Sequence, residues 1–522
     1  RQRQMCIRDR FSSSSANSFV FPCLGESCRF SDGEGNMDLF IQAFGLIFDP
    51  YVLVVITLSG AFGLFMGAIP GLSATMATAL LVPVTFFMPP VPALASIVTA
   101  TAMAIFAGDL PGALLRIPGT PASAAYTNEA FAMTRKGQAE LVLGTGLASA
   151  VIGGMFGAVV LSFTAPILAE FALKFSSFEY FWLASLGLTC AAFISTDSPA
   201  KGLISLMIGL LIATVGIDGT TGHPRFTFGN VELMGGINFI PAMIGMFAMA
   251  EVLRSVTAVK PPPTVDQRTI GNIFAGLGKV LYKYKTNLCR GSLIGVLVGA
   301  LPGAGSDIAA WISYATAKKF SKEPEKFGTG HVEGIVDAGS SNNAGLGGTW
   351  VPALVFGIPG DSITAIVIGV LYVKGMNPGP TVFLDQPELI YAVFVSFFVA
   401  NLLLLPLGLA AIKSAKQLLR VPRQILMPVI LMICVVGTFA INNTVFGVGI
   451  RLVRGLSADF LEENGVPLAP ASLGLVRGGL LAERFMTAMI KADGDLTAWV
   501  ARPVAAVLGG LTSRSWLSPQ LV

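Results

Sequence analysis

The sequence predicts an all-α polytopic membrane protein built as two homologous halves, and three observations carry that prediction. Hydrophobic residues fill 53% of the 522 positions and charged residues only 12%, about half the charge of a soluble domain. Apolar runs recur from 51–69 to 468–490, several of them longer than the ~20 residues one helical span needs. Landmark motifs then return in the same order at nearly one spacing, the signature of an internal duplication. Continuous runs, rather than ~10-residue alternating segments, exclude an outer-membrane type of barrel.

The duplication is read from Pro-Gly pairs. Pro70-Gly71 in GAIPGLSAT returns 232 positions later as Pro302-Gly303 in GALPGAGSD. Pro118 in RIPGTPASA returns 241 positions later as Pro359 in GIPGDSITA, and Lys136-Gly137 returns 238 positions later as Lys374-Gly375. The expected organisation is a leader (1–36), a first transporter repeat (37–259), a cytoplasmic linker (260–286), a second repeat (287–491) and a C-terminal tail (492–522). Across the two repeats about 11–13 membrane segments are expected. The leader has no apolar stretch of signal-peptide type and is read as artefactual or disordered, with Met37 as the natural start. The linker opens with KPPPTVDQR, and the basic residues in it and just after it (Lys260, Arg268, Lys279, Lys283, Lys285, Arg290) place it in the cytoplasm. The segment KKFSKEPEKFG, after the third Pro-Gly pair, is basic as well. Both flanks of run 291–317 therefore belong on one side. That predicts a re-entrant hairpin turning at Pro302-Gly303, with a kinked single span as the alternative.

Breaking an apolar helix has a cost. Proline removes a donor and clashes with the preceding turn, and glycine costs about 1 kcal/mol in a helix interior. Freed amides and carbonyls survive at membrane depth only inside protein or beside water. Four breaks make sense if their half-helix ends meet near the midplane and bind something, as in repeat-built transporters. The candidate substrate-binding residues are Gly71, Ser73 and Thr75 at the first break and Arg116, Gly119, Thr120 and Ser123 at the second. Gly303, Gly305 and Ser306 follow at the third, and Gly360, Ser362 and Thr364 at the fourth. Small hydroxyls there serve equally as helix caps or oxygen ligands. Arg116 suits a carboxylate because its guanidinium fork matches one; the alternative is an arginine snorkelling to the interface.

Candidate ion-binding residues are Ser340, Ser341, Asn342 and Asn343 and the intramembrane acids Asp109, Asp307 and Asp361. The stretch DAGSSNNAGLGGTW, 337–350, is too polar and glycine-rich for an ordinary lipid-facing helix. It is expected to form a cation or substrate loop, with a polar interhelical clasp as the alternative. A net charge of +4 in short loops reads as topology signal, so no nucleic-acid partner is expected. Six cysteines and two histidines without ligand spacing predict no transition-metal site and no cofactor. No phosphate-binding Gly-rich loop, His-Glu-x-x-His or nucleophile elbow occurs, which argues against ATP drive and leaves an intramembrane enzyme as a remote alternative.

The segments GAIPGLSATMATALLVPVTF, RIPGTPASAAYTNEAFAMTRKGQ, PRFTFG, GALPGAGSDIAAW, GSSNNAGLGGTWVPALVFGIPGDSITA and GMNPGP carry a resemblance. Over about 37–491 the chain resembles the large permease subunit of tripartite tricarboxylate transporters. The resemblance implies a sodium-driven symporter of organic anions in the bacterial inner membrane. It also implies a small four-span membrane subunit (TctB-like) and a periplasmic solute-binding protein (TctC-like) as partners, beside membrane lipid. Proton coupling and a passive anion channel are the alternatives to sodium symport.

Overall fold

The architecture is that of a computed structural model, which describes residues 33–517 apart from 71, 195–197, 219–221, 238, 251, 254–272, 275, 420–422, 443 and 496. Most of the expected leader and the proline-rich start of the linker lie outside the described residues. The apolar runs fold as helices because a helix satisfies its amides within its own segment.

The first half contains α1 (Gly33–Ile47), α2 (Pro50–Ala68), α3 (Ala74–Phe86), α4 (Pro90–Ala107) and α5 (Asp109–Leu115). It continues with α6 (Thr127–Arg135), α7 (Ala139–Ala172), α8 (Ser177–Ile194), α9 (Pro199–Ala213) and α10 (Phe239–Met243), the last running into a π-helical stretch, Ile244–Met249. Between α9 and α10 a two-residue antiparallel hairpin pairs β1 (Gly216–Ile217) with β2 (Pro224–Arg225). It is a small addition to the all-α expectation.

The second half contains α11 (Leu277–Lys283), α12 (Lys285–Gly299), α13 (Gly305–Phe320), α14 (Val332–Val355), α15 (Ser362–Val373), α16 (Val382–Asp385) and α17 (Pro387–Leu418). After these come α18 (Arg423–Asn442), α19 (Val445–Glu463), α20 (Leu468–Lys491), α21 (Ala498–Ala501) and α22 (Pro503–Leu517). The tail is helical and docks on α8, where Trp182 Nε1 donates to the Trp499 carbonyl at 3.1 Å.

Among the described residues, four helical segments are long and apolar enough to cross a bilayer: α2, the α4–α5 segment Pro90–Leu115, α7 and α17. Other helices beside the breaks are shorter. α3 has 13 residues, α12 15, α13 16 and α15 12. At 1.5 Å per residue these reach about 18–24 Å, short of the ~30 Å hydrocarbon core. α12 and α13 pack on each other. The Arg290 guanidinium near the start of α12 lies 5.9 Å from the Phe320 ring at the end of α13. The pair thus folds back on itself at Pro302-Gly303 and brings both basic flanks together.

α7 shows which face meets lipid. Val159, Phe163 and Ile167, four residues apart, are exposed on one stripe, whereas Gly153, Gly157 and Leu161 are buried. Small residues line the buried seams, because helices associate in lipid through close backbone approach rather than hydrophobic contrast. A methyl group on Gly63 would run into the Ala100 carbonyl, and one on Gly67 into that of Ala104. In the second half Gly295 sits the same way on Ser341, and Gly299 on Gly345. Gly63 to Gly295 and Gly67 to Gly299 are each 232 positions; Ala100 to Ser341 and Ala104 to Gly345 are each 241. α2–α4 and α12–α14 are therefore packed alike. The halves also cross, since α7 lies along α14 and α17 along α4.

One expectation is corrected here. Residues 337–350 are not a loop: they form the middle of α14, and every residue from Glu333 to Val355 is buried. The segment avoids lipid because α7, α12 and α13 enclose it. Its glycines then serve close contact and its hydroxyls and amides face protein.

Candidate functional site

The four breaks, distant in sequence, meet. The Gly303 amide of the third donates to the Gly360 carbonyl of the fourth at 2.8 Å. The Ala122 amide of the second donates to Asp307 Oδ1, just past the third, at 3.1 Å. Trp311 Nε1 of α13 reaches the Pro121 carbonyl at 3.1 Å. A methyl on Gly119 would stand 3.0 Å from the Gly67 carbonyl at the end of α2, and one on Gly360 would stand 3.0 Å from the Gly299 carbonyl at the end of α12. Gly303, at φ +85, fits under Ala191 of α8, and Gly187 of the same helix faces Ile358 and Pro302. α8 thus covers the third and fourth breaks.

Several candidate hydroxyls are occupied by the turns themselves. Ser73 caps α3 by accepting from the Met76 amide at 3.1 Å. Thr120 and Ser123 satisfy each other: Ser123 Oγ accepts from the Thr120 amide at 3.1 Å, and Thr120 Oγ1 from the Ser123 amide at 3.2 Å. Asp361 and Thr364 form a capping box on α15, with the Thr364 amide 2.8 Å from Asp361 Oδ1. Ser306 is buried against Gly345 of α14. Other groups face open space: Asp307 is exposed, and Ser73, Thr75, Asp361 and Ser362 are half-buried. Gly305, at φ +65, lies against Asp361 Cβ. Gly71 falls outside the described residues.

Arg116 precedes the second break by two residues. It ends α5 in the left-handed conformation, is exposed, and donates from Nε to Asn128 Oδ1 at 3.2 Å. Another Pro-Gly pair, Pro111-Gly112, lies inside α5 and does not break it.

A polar seam runs deeper. The Tyr126 hydroxyl donates to Asp109 Oδ1 at 2.5 Å and also interacts with the Asn342 side chain of the other half. Beside Asp109, Gly146 and Ile335 line a small cavity with room for about one water. Ser340 is satisfied within α14, donating to the Asp337 carbonyl at 3.0 Å. Within α7, α14 and α17 five buried side-chain oxygens have no hydrogen-bond partner among the described residues: Thr145 Oγ1 and Ser149 Oγ on α7, Ser341 Oγ and Asn342 Oδ1 on α14, and Asn401 Oδ1 on α17. Asn343 Nδ2 is unpartnered too. The three helices are neighbours, with Ser149 facing Gly339 and Asn401 against Gly154. Buried polar atoms without partners are rare in native proteins and mark sites that something else completes. Among the described residues no lysine or arginine pairs with Asp109, Asp307 or Asp361, and Asp307 and Asp361 are close enough to repel each other.

Two clasps hold the halves in register. Glu129 on α6 is fully buried and accepts from the amides of Gly330 and His331, both at 2.7 Å, from Gly328, and from the Tyr314 hydroxyl at 2.8 Å. The repeated lysines act reciprocally: Lys136 Nζ reaches the Thr329 carbonyl at 2.8 Å, and Lys374 Nζ the Met88 carbonyl at 2.6 Å. In the loop outside the membrane, hydrogen bonds from Lys326 and then His331 hold the Glu323 carboxyl below its usual range.

Tyr126, Glu129, Thr145, Ser149 and Asn401 were not among the sequence candidates, and neither was Arg477, a buried arginine on α20. Asn401 and Arg477 carried a readable signal, since each is a polar residue inside an apolar run. The α7 hydroxyls did not, because threonine and serine are ordinary in membrane helices.

The model of the tripartite tricarboxylate transporter TctA family matches residues 53–473. This chain belongs to that family. The match covers both halves and all four breaks, so the TctA-family chain is a multi-pass membrane component of a transporter. An uncharacterized 52.8 kDa protein in the TAR-I ttuC' 3' region of Agrobacterium vitis is 35% identical over 447 residues, 85% of this chain and 88% of that protein. An uncharacterized protein in the TAR-II ttuC' 3' region of the same organism is 38% identical over 217 residues, 42% of this chain and 90% of its own length. No solved structure matches this TctA-family chain.

Proposed function

We propose that this chain is the large membrane subunit of a binding-protein-dependent tripartite system that imports tricarboxylates or related organic anions by sodium-coupled alternating access. One observation carries the reading: the four breaks converge on one junction that is partly open. Their short flanking helices suit re-entrant hairpins ending near the midplane of a bacterial inner membrane. The matched contacts at constant offsets support a duplication, and we read its halves as inverted repeats.

Electrostatics supplies the coupling logic. Three carboxylates without basic partners repel an anion, so cargo enters favourably only after a cation has bound. The unpartnered hydroxyl and amide oxygens of α7, α14 and α17 suit a hard cation such as sodium. The short Tyr126–Asp109 bond favours the second reading, proton coupling. A TctB-like small subunit and a TctC-like binding protein complete the system. The test is uptake into proteoliposomes holding the chain with both partners. A sodium gradient should drive carboxylate accumulation without ATP. Accumulation that follows a pH gradient alone would favour the proton, and uptake that stops at equilibrium would leave a channel.

A further inference from the structure

Arg477 is only 2% exposed, in the middle of α20. A guanidinium keeps its charge in any protein environment. Yet its Nε and Nη2 have no hydrogen-bond partner among the described residues. No carboxylate there forms an ion pair with it, and the neighbouring ionisable group is the Tyr372 phenol of α15. The position is built rather than accidental. Nη2 lies against Gly357, whose φ is +61, and any side chain at that residue would take the space of the guanidinium. The Pro378 carbonyl lines the same spot. Gly357 leads directly into Ile358-Pro359-Gly360, and Gly360 receives the hydrogen bond from Gly303. The charge therefore stands at the edge of the joined third and fourth breaks.

An isolated buried charge costs several kcal/mol and is kept where an anion completes it. A fork of parallel N–H groups matches the two oxygens of a carboxylate. We infer that Arg477 is a binding residue for a carboxylate group of the transported anion, at a subsite formed with Gly357 beside the fourth break. This rests on the transport reading above and adds the positive contact which that reading otherwise lacks. Sodium answers the three acids; Arg477 answers the cargo.

The test uses the purified full-length chain in lipid nanodiscs, with thermal unfolding followed in sodium buffer against citrate, succinate and inorganic phosphate. Native protein should be stabilised by citrate or succinate and not by phosphate. In R477Q and R477M the apparent affinity should fall roughly thirtyfold or more, the usual result of removing one member of a buried charge pair. R477K should fall between, and Lys319→Gln, on the exposed end of α13, should match the native protein. Without carboxylate, R477M should melt no lower than native, because it removes an unpaired charge. Variants that keep the native carboxylate response would overturn the role of Arg477 and leave the transport reading standing. A native protein indifferent to both carboxylates would overturn the two together, and a response to phosphate alone would replace the carboxylate with a phosphate group. If R477M melts far below native while R477K does not, the positive charge is a structural element and the inference fails.

Discussion

Removing the Glu129 carboxylate should undock the loop between α13 and α14. Glu129 has no exposed surface and receives four hydrogen bonds, of which those from Gly330 and His331 are the most enclosed, at 2.7 Å each. Gly328 is exposed and Tyr314 half-buried, so their donors can turn to water in the variant. Only two charge-assisted bonds are then counted, at about 1.5–3 kcal/mol each. Glu129→Ala should therefore weaken docking of residues 328–331 by about 3–6 kcal/mol. That corresponds to amide exchange roughly 150- to 20,000-fold faster. Glu129→Gln keeps one acceptor but turns an N–H toward the same donors, and should recover less than half of the loss. Hydrogen exchange read by mass spectrometry on the 321–335 peptide measures this directly. Unchanged exchange in Glu129→Ala would show that the loop is held by Lys136 and by its own turns, and the carboxylate cage would lose its role as a clasp between halves.

Gly63→Ala and Gly295→Ala should each destabilise the protein by up to about 2 kcal/mol, about 1–3 kcal/mol of overpacking less the ~1 kcal/mol that alanine gains in helix propensity, read as a lower melting temperature. Their costs should be alike if α2–α4 and α12–α14 are equivalent seams. Asn342→Ala and Asn401→Ala should raise the sodium concentration for half-maximal uptake in proteoliposomes several-fold while leaving expression near normal. Below about pH 4 the same exchange experiment should find the 321–331 loop loosened. The Glu323 carboxyl is held below its usual range, so its contribution is present above the unfolded pKa and fades as pH falls through the lower folded value.

Much of this was legible because the bilayer imposes strong rules. The breaks and the offsets 232 and 241 are read from residues that penalise helices, and the basic flanks of run 291–317 agree with α12 and α13 folding back on each other. Asp361, an ion-binding candidate in the sequence, stands directly after Pro-Gly and caps α15 in the structure. The Asp337–Trp350 segment misled for a physical reason. Its composition forbids a lipid-facing helix, but nothing local reveals that three other helices surround it. Arg116 drew attention because it adjoins a break, whereas Arg477 adjoins one only in space. Which candidate hydroxyls are consumed by capping, as Thr120 and Ser123 are, depends on turn geometry that spacing alone leaves open.

The most direct test of the central claim is cysteine accessibility at the junction. With all six native cysteines (Cys6, Cys23, Cys28, Cys190, Cys289 and Cys434) replaced by serine, single cysteines at Thr75, Asp307 and Ser362, which are exposed or half-buried, should react with a small water-soluble thiol reagent in sealed vesicles. Sodium together with the transported carboxylate should slow all three reactions. If the three positions stay unreactive under every condition, or react at rates that neither ion nor carboxylate alters, the breaks do not form a shared watery binding site.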